Sequence, residues 1–173
     1  MHQLTRVRRL AAFALILTLT ACAPPKAPPA AVPYRASSAP IWSNAQLDQA
    51  RLVGSWQQTA SFAPPGAACA PGGAEIGGRA GALTLTARLC LSGQEVRLSG
   101  PMPSTGPGRF RVGDQDWWVI WVDTDYRTLA IGTPSGDFGF ILNRGGSLPP
   151  DRLTAAREIF DFNGYDTSFL RPF

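Results

Sequence analysis

Side chains able to do chemistry are sparse in this sequence. The single histidine is His2, inside an amino-terminal stretch that reads as a removable leader. The remaining chain then has no imidazole, which excludes Ser-His-Asp and Cys-His catalysis and any His-ligated metal. Asp123 and Asp125 stand two residues apart in "VDTDYR". Paired carboxylates can do acid–base work, but at a tight turn aspartates more often hold the turn through side chain–backbone bonds. Of the cysteines, Cys69 and Cys90 are expected to pair as a disulfide in an oxidising compartment; two buried free thiols are the alternative. Three of the five tryptophans fall in "DWWVIWV": Trp117, Trp118 and Trp121. They could form a sugar platform, a membrane wedge or a packed wall. No catalytic group, metal site or cofactor is expected.

The leader has its own signature. "MHQLTRVRRL" carries Arg6, Arg8 and Arg9, and "AAFALILTLTA" follows, too short to span a bilayer. A basic head, an apolar middle and small residues before a cut describe a secretory signal. "LTAC", ending at Cys22, resembles a bacterial lipobox, which implies cleavage after residue 21 and lipid modification of Cys22. An ordinary signal with an incidental cysteine is the other reading. Ala23 resembles signals that direct lipoproteins to the outer membrane, so the expected location is the cell envelope, with a lipid anchor as the membrane contact. Residues 22–42 are rich in Pro and read as a tether tending to polyproline II. Removing the leader's three arginines leaves 13 basic against 12 acidic side chains, or +1. With no basic stripe, a nucleic-acid partner is not expected.

The elements that must position the aromatic residues are strands. The domain is expected over residues 43–173. "SNAQLDQARL" (43–52) reads as a short helix capped by Ser43 or Asn44. "VGSWQQTASF" alternates, with Trp56, Gln58, Ala60 and Phe62 on one face. In "LTLTARLCL", Leu83, Leu85, Ala87, Leu89 and Leu91 share a face. "GGRAG" (77–81) reads as a hairpin turn that places residue 69 opposite 89 or 90. Val96/Leu98 and Phe110/Val112 continue the alternation, and "DWWVIWV", "TLAIGT" and "FGFILNR" follow. Seven or eight short strands in meander order suggest an antiparallel sandwich or barrel. The last segment is helical, with Pro near its first turn, Gly164 after its last, and Leu153, Ala156, Ile159 and Phe160 in one stripe.

Gly54-x-Trp56 at the first strand, Thr124-Asp125-Tyr126 between two late strands and Arg144 after the last resemble, in that order, the three signature motifs of the lipocalins. From residue 117 to 170 the likeness is to the bacterial outer-membrane lipocalins. The resemblance implies an all-β fold: an eight-stranded antiparallel up-and-down barrel with a C-terminal α-helix packed on its outside. It implies that Trp56 plugs the closed end with Arg144 stacked on its ring, and that Gly54, Thr124, Asp125 and Tyr126 are architectural. Because residues 63–112 are dense in Gly and Pro, their strands are expected to be brief and the barrel shallow or partly open.

Counting back from Asp123 in the family pattern places Trp117, Val119 and Trp121 inside the barrel, with Phe138, Phe140 and Leu142. Thr128, Ala130 and Gly132 would also face in; Trp118, Ile120, Leu129 and Ile131 would face out. The expected ligand-binding set is Gln58, Ala60, Phe62, Leu85, Trp117, Val119, Trp121, Phe138 and Phe140, around a small hydrophobic or amphiphilic molecule of the fatty acid or lysophospholipid class. Alternatively, these rings simply fill the barrel. The second function class is an envelope protein-interaction or protease-inhibitor-like barrel with no small ligand.

Overall fold

The computed structural model describes residues 33–67 and 69–173. The leader, Cys22 and residues 22–32 of the expected tether lie outside the described residues. Ten strands form one antiparallel sheet: β1 (Gly54–Phe62), β2 (Gly73–Arg79), β3 (Ala82–Leu91), β4 (Gln94–Pro101), β5 (Ser104–Gly106), β6 (Arg109–Val112), β7 (Gln115–Val122), β8 (Thr128–Gly132), β9 (Gly139–Asn143) and β10 (Leu170–Pro172). The order is β4-β3-β2-β1-β9-β8-β7-β6-β5, with β10 added on β1. The two ends of that path, β4 and β5, are successive segments of one stretch bent at Met102 and Pro103. Met102 N–H bonds back to Leu83 on one side, while the Pro103 carbonyl accepts from Arg111 on the other. Counted as one bent strand, β4 and β5 leave eight principal strands in a curled sheet. That is the lipocalin-like barrel the sequence implies, with β10 as an addition.

Two apolar clusters lie on either side of the sheet. The inner one contains Trp56, the Leu83-to-Leu91 face, Met102, Phe110, Trp117, Val119, Phe140 and Leu142. The outer one sits under α1 (Pro150–Phe162) and contains Ala60, Phe62, Ile120, Ala130, Ile141, Ala156, Phe160 and Tyr165. The helix therefore packs outside the barrel, against β7 and β8, through the stripe expected of it. Gly139 allows this close approach: a Cβ there would lie 2.9 Å from the Phe62 ring, 3.1 Å from Phe160 and 3.1 Å from Tyr165.

Two β-bulges change which residues face which cluster. In β7 the register against β8 shifts between Val119 and Trp121. An extra residue reverses the alternation beyond it. Val119 is therefore inside, Ile120 and Trp121 join the outer cluster, and Val122 returns to the inner one. Trp121 thus faces the helix rather than the barrel interior. On β8, Leu129 and Ile131 face in, Ala130 faces out, and the expected assignment is inverted. In β1 the register against β9 shifts between Gln58 and Ala60, which sends Ala60 and Phe62 to the outer cluster.

Other local expectations are also corrected. Residues 43–52 hold only a 3-10 turn, Gln49–Leu52, capped by the Asp48 carboxylate accepting from Ala50 N–H at 3.0 Å. One turn suffices because Leu52 alone is buried there. The strands from 73 to 101 are not brief; β3, at 10 residues, is the longest in the sheet. The glycines and prolines lie largely at the turns and strand ends. Residues 33–42 pack on the domain rather than standing off as a tether. Tyr34 N–H bonds the Gly136 carbonyl at 2.8 Å, and the buried Arg35 guanidinium donates to the carbonyls of Asn163, Pro134 and Ala39.

Candidate functional site

One end of the barrel is closed by the signature residues. Arg144 lies over the Trp56 ring, its guanidinium carbon 3.9 Å from the centroid. The same guanidinium donates to the carbonyls of Arg51, Leu52 and Val53 at 2.8–2.9 Å. Trp56 Nε1 donates to the Leu52 carbonyl at 2.8 Å, so indole and arginine hold the same segment from two sides. Gly54 has φ +121°, and a Cβ there would sit 3.3 Å from Arg144 Nη1; both conditions favour glycine. Burial pushes the Arg144 guanidinium below its ordinary range, offset in part by Glu75.

The Thr124-Asp125-Tyr126 turn joins this end through Tyr126. Its hydroxyl accepts from Asp48 N–H at 2.7 Å, and Arg51 stacks on its ring at 4.0 Å. The carboxylate that holds the turn is Asp123: it accepts from Arg127 N–H at 2.7 Å and Thr128 N–H at 2.6 Å. Asp125 is exposed, 3.8 Å from Arg152, and Thr124 is also exposed. Of the two aspartates, then, only the first is a turn former by hydrogen bonding.

The barrel interior is packed. Trp117, Phe140 and Leu142 have no accessible surface, and Val119 and Leu85 almost none. Trp117 and Phe140 meet edge to face at 5.0 Å. Gln58, expected to greet a ligand, has no free amide end. Its Nε2 donates to the Cys90 carbonyl at 2.8 Å, and its Oε1 accepts from Cys90 N–H at 2.8 Å and Gly72 N–H at 3.3 Å. It replaces a missing rung between β1 and β3 where β2 begins.

At the opposite, open end lies an apolar cavity of about 660 Å³. The β3–β4 turn supplies Leu91, Ser92 and Gln94. The loop before β9 supplies Asp137 and Phe138, and β7 begins with Gln115. Pro64 follows β1, Pro33 and Tyr34 come from the amino-terminal strap, and Phe169 comes from the turn after α1. The rim is tied together locally. Cys69 and Cys90 form the expected disulfide, with Cα atoms 5.7 Å apart. Ser92 Oγ donates to the Asp137 carbonyl, and Tyr34 stacks against Phe62 and Phe169 at 5.7 and 5.5 Å. Gln115 also accepts from Trp117 Nε1 at 3.0 Å, and Phe138 contacts Phe140 at 6.1 Å. The cavity floor is therefore continuous with the packed interior.

Of the expected ligand set, only Phe138 lines this cavity. Leu85, Trp117, Val119 and Phe140 lie in the packed interior, and Trp121, Ala60 and Phe62 on the helix side. The residues missed are rim residues in turns and in the Pro-rich strap. Their one sequence signal was the Ser92-Gly93 turn that aims Leu91 and Gln94 at the mouth.

Comparison with known proteins agrees with this architecture. The lipocalin-like domain family matches residues 104–173, which include the Thr124-Asp125-Tyr126 turn, Arg144 and α1. Lobster apocrustacyanin A1 is similar in structure, with a TM-score of 0.55 and 14% identity over 78% of this chain and 88% of that one. The cockroach allergen Per a 4 gives 0.55 and 15%, covering 79% and 94%. The siderocalin Ex-FABP gives 0.53 and 13%, covering 69% and 91%. No curated protein matches the chain in sequence. At these identities the structural likeness speaks to the fold: the chain has a lipocalin-type fold, and its carboxy-terminal residues 104–173 match the lipocalin-like domain.

Proposed function

We propose that this protein is a non-enzymatic carrier that takes the apolar part of a small amphiphile in the cavity at the barrel mouth. The observation that carries the reading is that cavity: about 660 Å³ of mostly apolar wall with a few polar side chains at its lip, within the range typical of small-ligand sites. A single-chain amphiphile of the fatty acid or lysophospholipid class fits a bowl that stops at a packed floor. The Siderocalin Ex-FABP, which shares the fold, is described as functioning through dual ligand specificities. The "LTAC" motif supports a lipid anchor at Cys22 that keeps the carrier in the cell envelope, at the outer membrane.

Binding of N-phenyl-1-naphthylamine, which fluoresces in apolar sites, tests the reading. Gln94 is exposed and lines the mouth, so Gln94→Trp fills the cavity without disturbing the core. It is expected to abolish saturable probe binding at unchanged Tm. Equal probe binding by wild type and Gln94→Trp refutes the mouth as the site. Labelled palmitate incorporation that survives Cys22→Ser refutes the anchor.

The packed interior favours a second reading, a protein-interaction barrel. Trp42 and Phe162, 58% and 69% exposed, flank Asn163, whose Oδ1 accepts from Trp42 N–H at 2.6 Å. Absence of any probe or lipid binding, with inhibition of a secreted protease, would select it.

A further inference from the structure

The cavity's polar lip is electrically one-sided. Among the described residues, Ser92, Gln94, Gln115 and Asp137 are its polar lining groups apart from the Tyr34 phenol, and Asp137 is the only charged one. A shallower hollow of about 390 Å³ shares Gln115, Asp137 and Phe138 with it and adds Asp114 and Asp116. Asp116 is paired with Arg111 at 3.1 Å, and Arg111 also donates to the Asp114 carbonyl at 3.2 Å. Among the described residues, the carboxylates of Asp114 and Asp137 have no ion-pair partner. The cation of the neighbouring strap, Arg35, is buried with its guanidinium committed to three carbonyls.

A single-chain ligand seated in the apolar bowl must leave its head at this lip. A carboxylate or sulfate head would meet Asp137 with no cation among the described lining residues to offset it. An ammonium head would find one carboxylate in the cavity wall and a second in the adjoining hollow. We propose that the mouth selects amphiphiles with a cationic, ammonium-type headgroup over anionic ones of the same chain length. The apolar cavity is what binds; the aspartates choose among what it binds. This inference rests on the mouth-cavity reading above and narrows its ligand classes, ranking ammonium-bearing amphiphiles above fatty acids.

Competition on the full-length protein separates the two. N-phenyl-1-naphthylamine, itself neutral, is bound first. It is then displaced by dodecylammonium, monododecanoylglycerol or dodecanoate, each below its micelle concentration and at low salt. Dodecylammonium is expected to displace the probe at a concentration about three- to tenfold lower than dodecanoate, the scale of exposed charge pairing. About 0.5 M salt should shrink the preference. The double variant Asp114→Asn/Asp137→Asn should bring the two charged competitors within about twofold of each other, each scored against the neutral monododecanoylglycerol in the same variant. Displacement by dodecanoate as effective as by dodecylammonium overturns the headgroup rule while the carrier reading stands. A preference that persists in the double variant also overturns it. Failure of the probe and of all three competitors to bind removes both.

Discussion

Gln58 binds three backbone groups with one amide, and Tyr165 serves three with one hydroxyl. Tyr165 Oη accepts from Thr133 N–H at 2.7 Å and donates toward the carbonyls of Thr133 and Phe138 at 3.1 and 3.0 Å. Both side chains are buried, so a partner left unmatched beside them, Cys90 N–H or Thr133 N–H, has no water to turn to. Gln58→Leu keeps the volume but strands Cys90 N–H and Gly72 N–H. Urea unfolding should show a loss of about 2 kcal/mol, roughly 4–8 °C in Tm. Tyr165→Phe should cost about 1–3 kcal/mol by leaving Thr133 N–H unpaired. Tyr165 also makes a pH prediction. Burial, the largest influence, holds its phenol protonated well above the ordinary tyrosine range. Below about pH 10 the phenol is neutral in folded and unfolded chains alike, and its contribution is constant. Above that the unfolded chain ionises first, so stability falls as pH rises. Tyr165→Phe should flatten that alkaline decline; an unchanged slope would show that other groups cause it.

Among the elements, α1 and its seat show what the sequence can and cannot disclose. The apolar stripe Leu153, Ala156, Ile159 and Phe160 was readable because helical spacing is a local property, and the Leu83-to-Leu91 face was readable because β3 has no bulge. The faces of β7 and β1 were not. A bulge depends on how a strand matches its neighbour, and nothing in "WWVIWVD" or "WQQTASF" marks Ile120 or Thr59 as the extra residue. One inserted residue then reverses every later assignment, which is why Trp121, Ala60 and Phe62 lie beside the helix. The same limit explains the mouth, built from six separate segments that meet only in the fold. Glycine substitution probes the helix seat. Gly139→Ala drives a methyl into three packed rings and is expected to destabilise by about 1–3 kcal/mol. Gly106→Ala places its methyl 3.4 Å from Arg109 Cδ, an ordinary contact, and should be nearly neutral. Equal thermal shifts for the two would show that ring packing over Gly139 does not limit helix docking.

For the whole molecule, the two ends of the barrel divide the labour. The closed end is fixed by Arg144, Trp56 and Tyr126, whose bonds converge on one short segment. The open end has fewer such bonds and relies on covalent closure. Cys69–Cys90 spans a sequence separation of 21, enough for about 3 kcal/mol through restriction of the unfolded chain. It also ties the loop containing Pro64 to the end of β3, where Leu91 enters the cavity wall. Cys69→Ser/Cys90→Ser should therefore lower unfolding stability by about 3 kcal/mol. Below its transition midpoint, the variant should also bind the naphthylamine probe more weakly than the oxidised protein. The closed end should be unaffected, so tryptophan fluorescence from the native fold should persist. A variant that loses stability yet binds the probe as tightly as wild type would show that the disulfide braces the sheet without shaping the mouth. One that loses binding at unchanged stability would show the reverse.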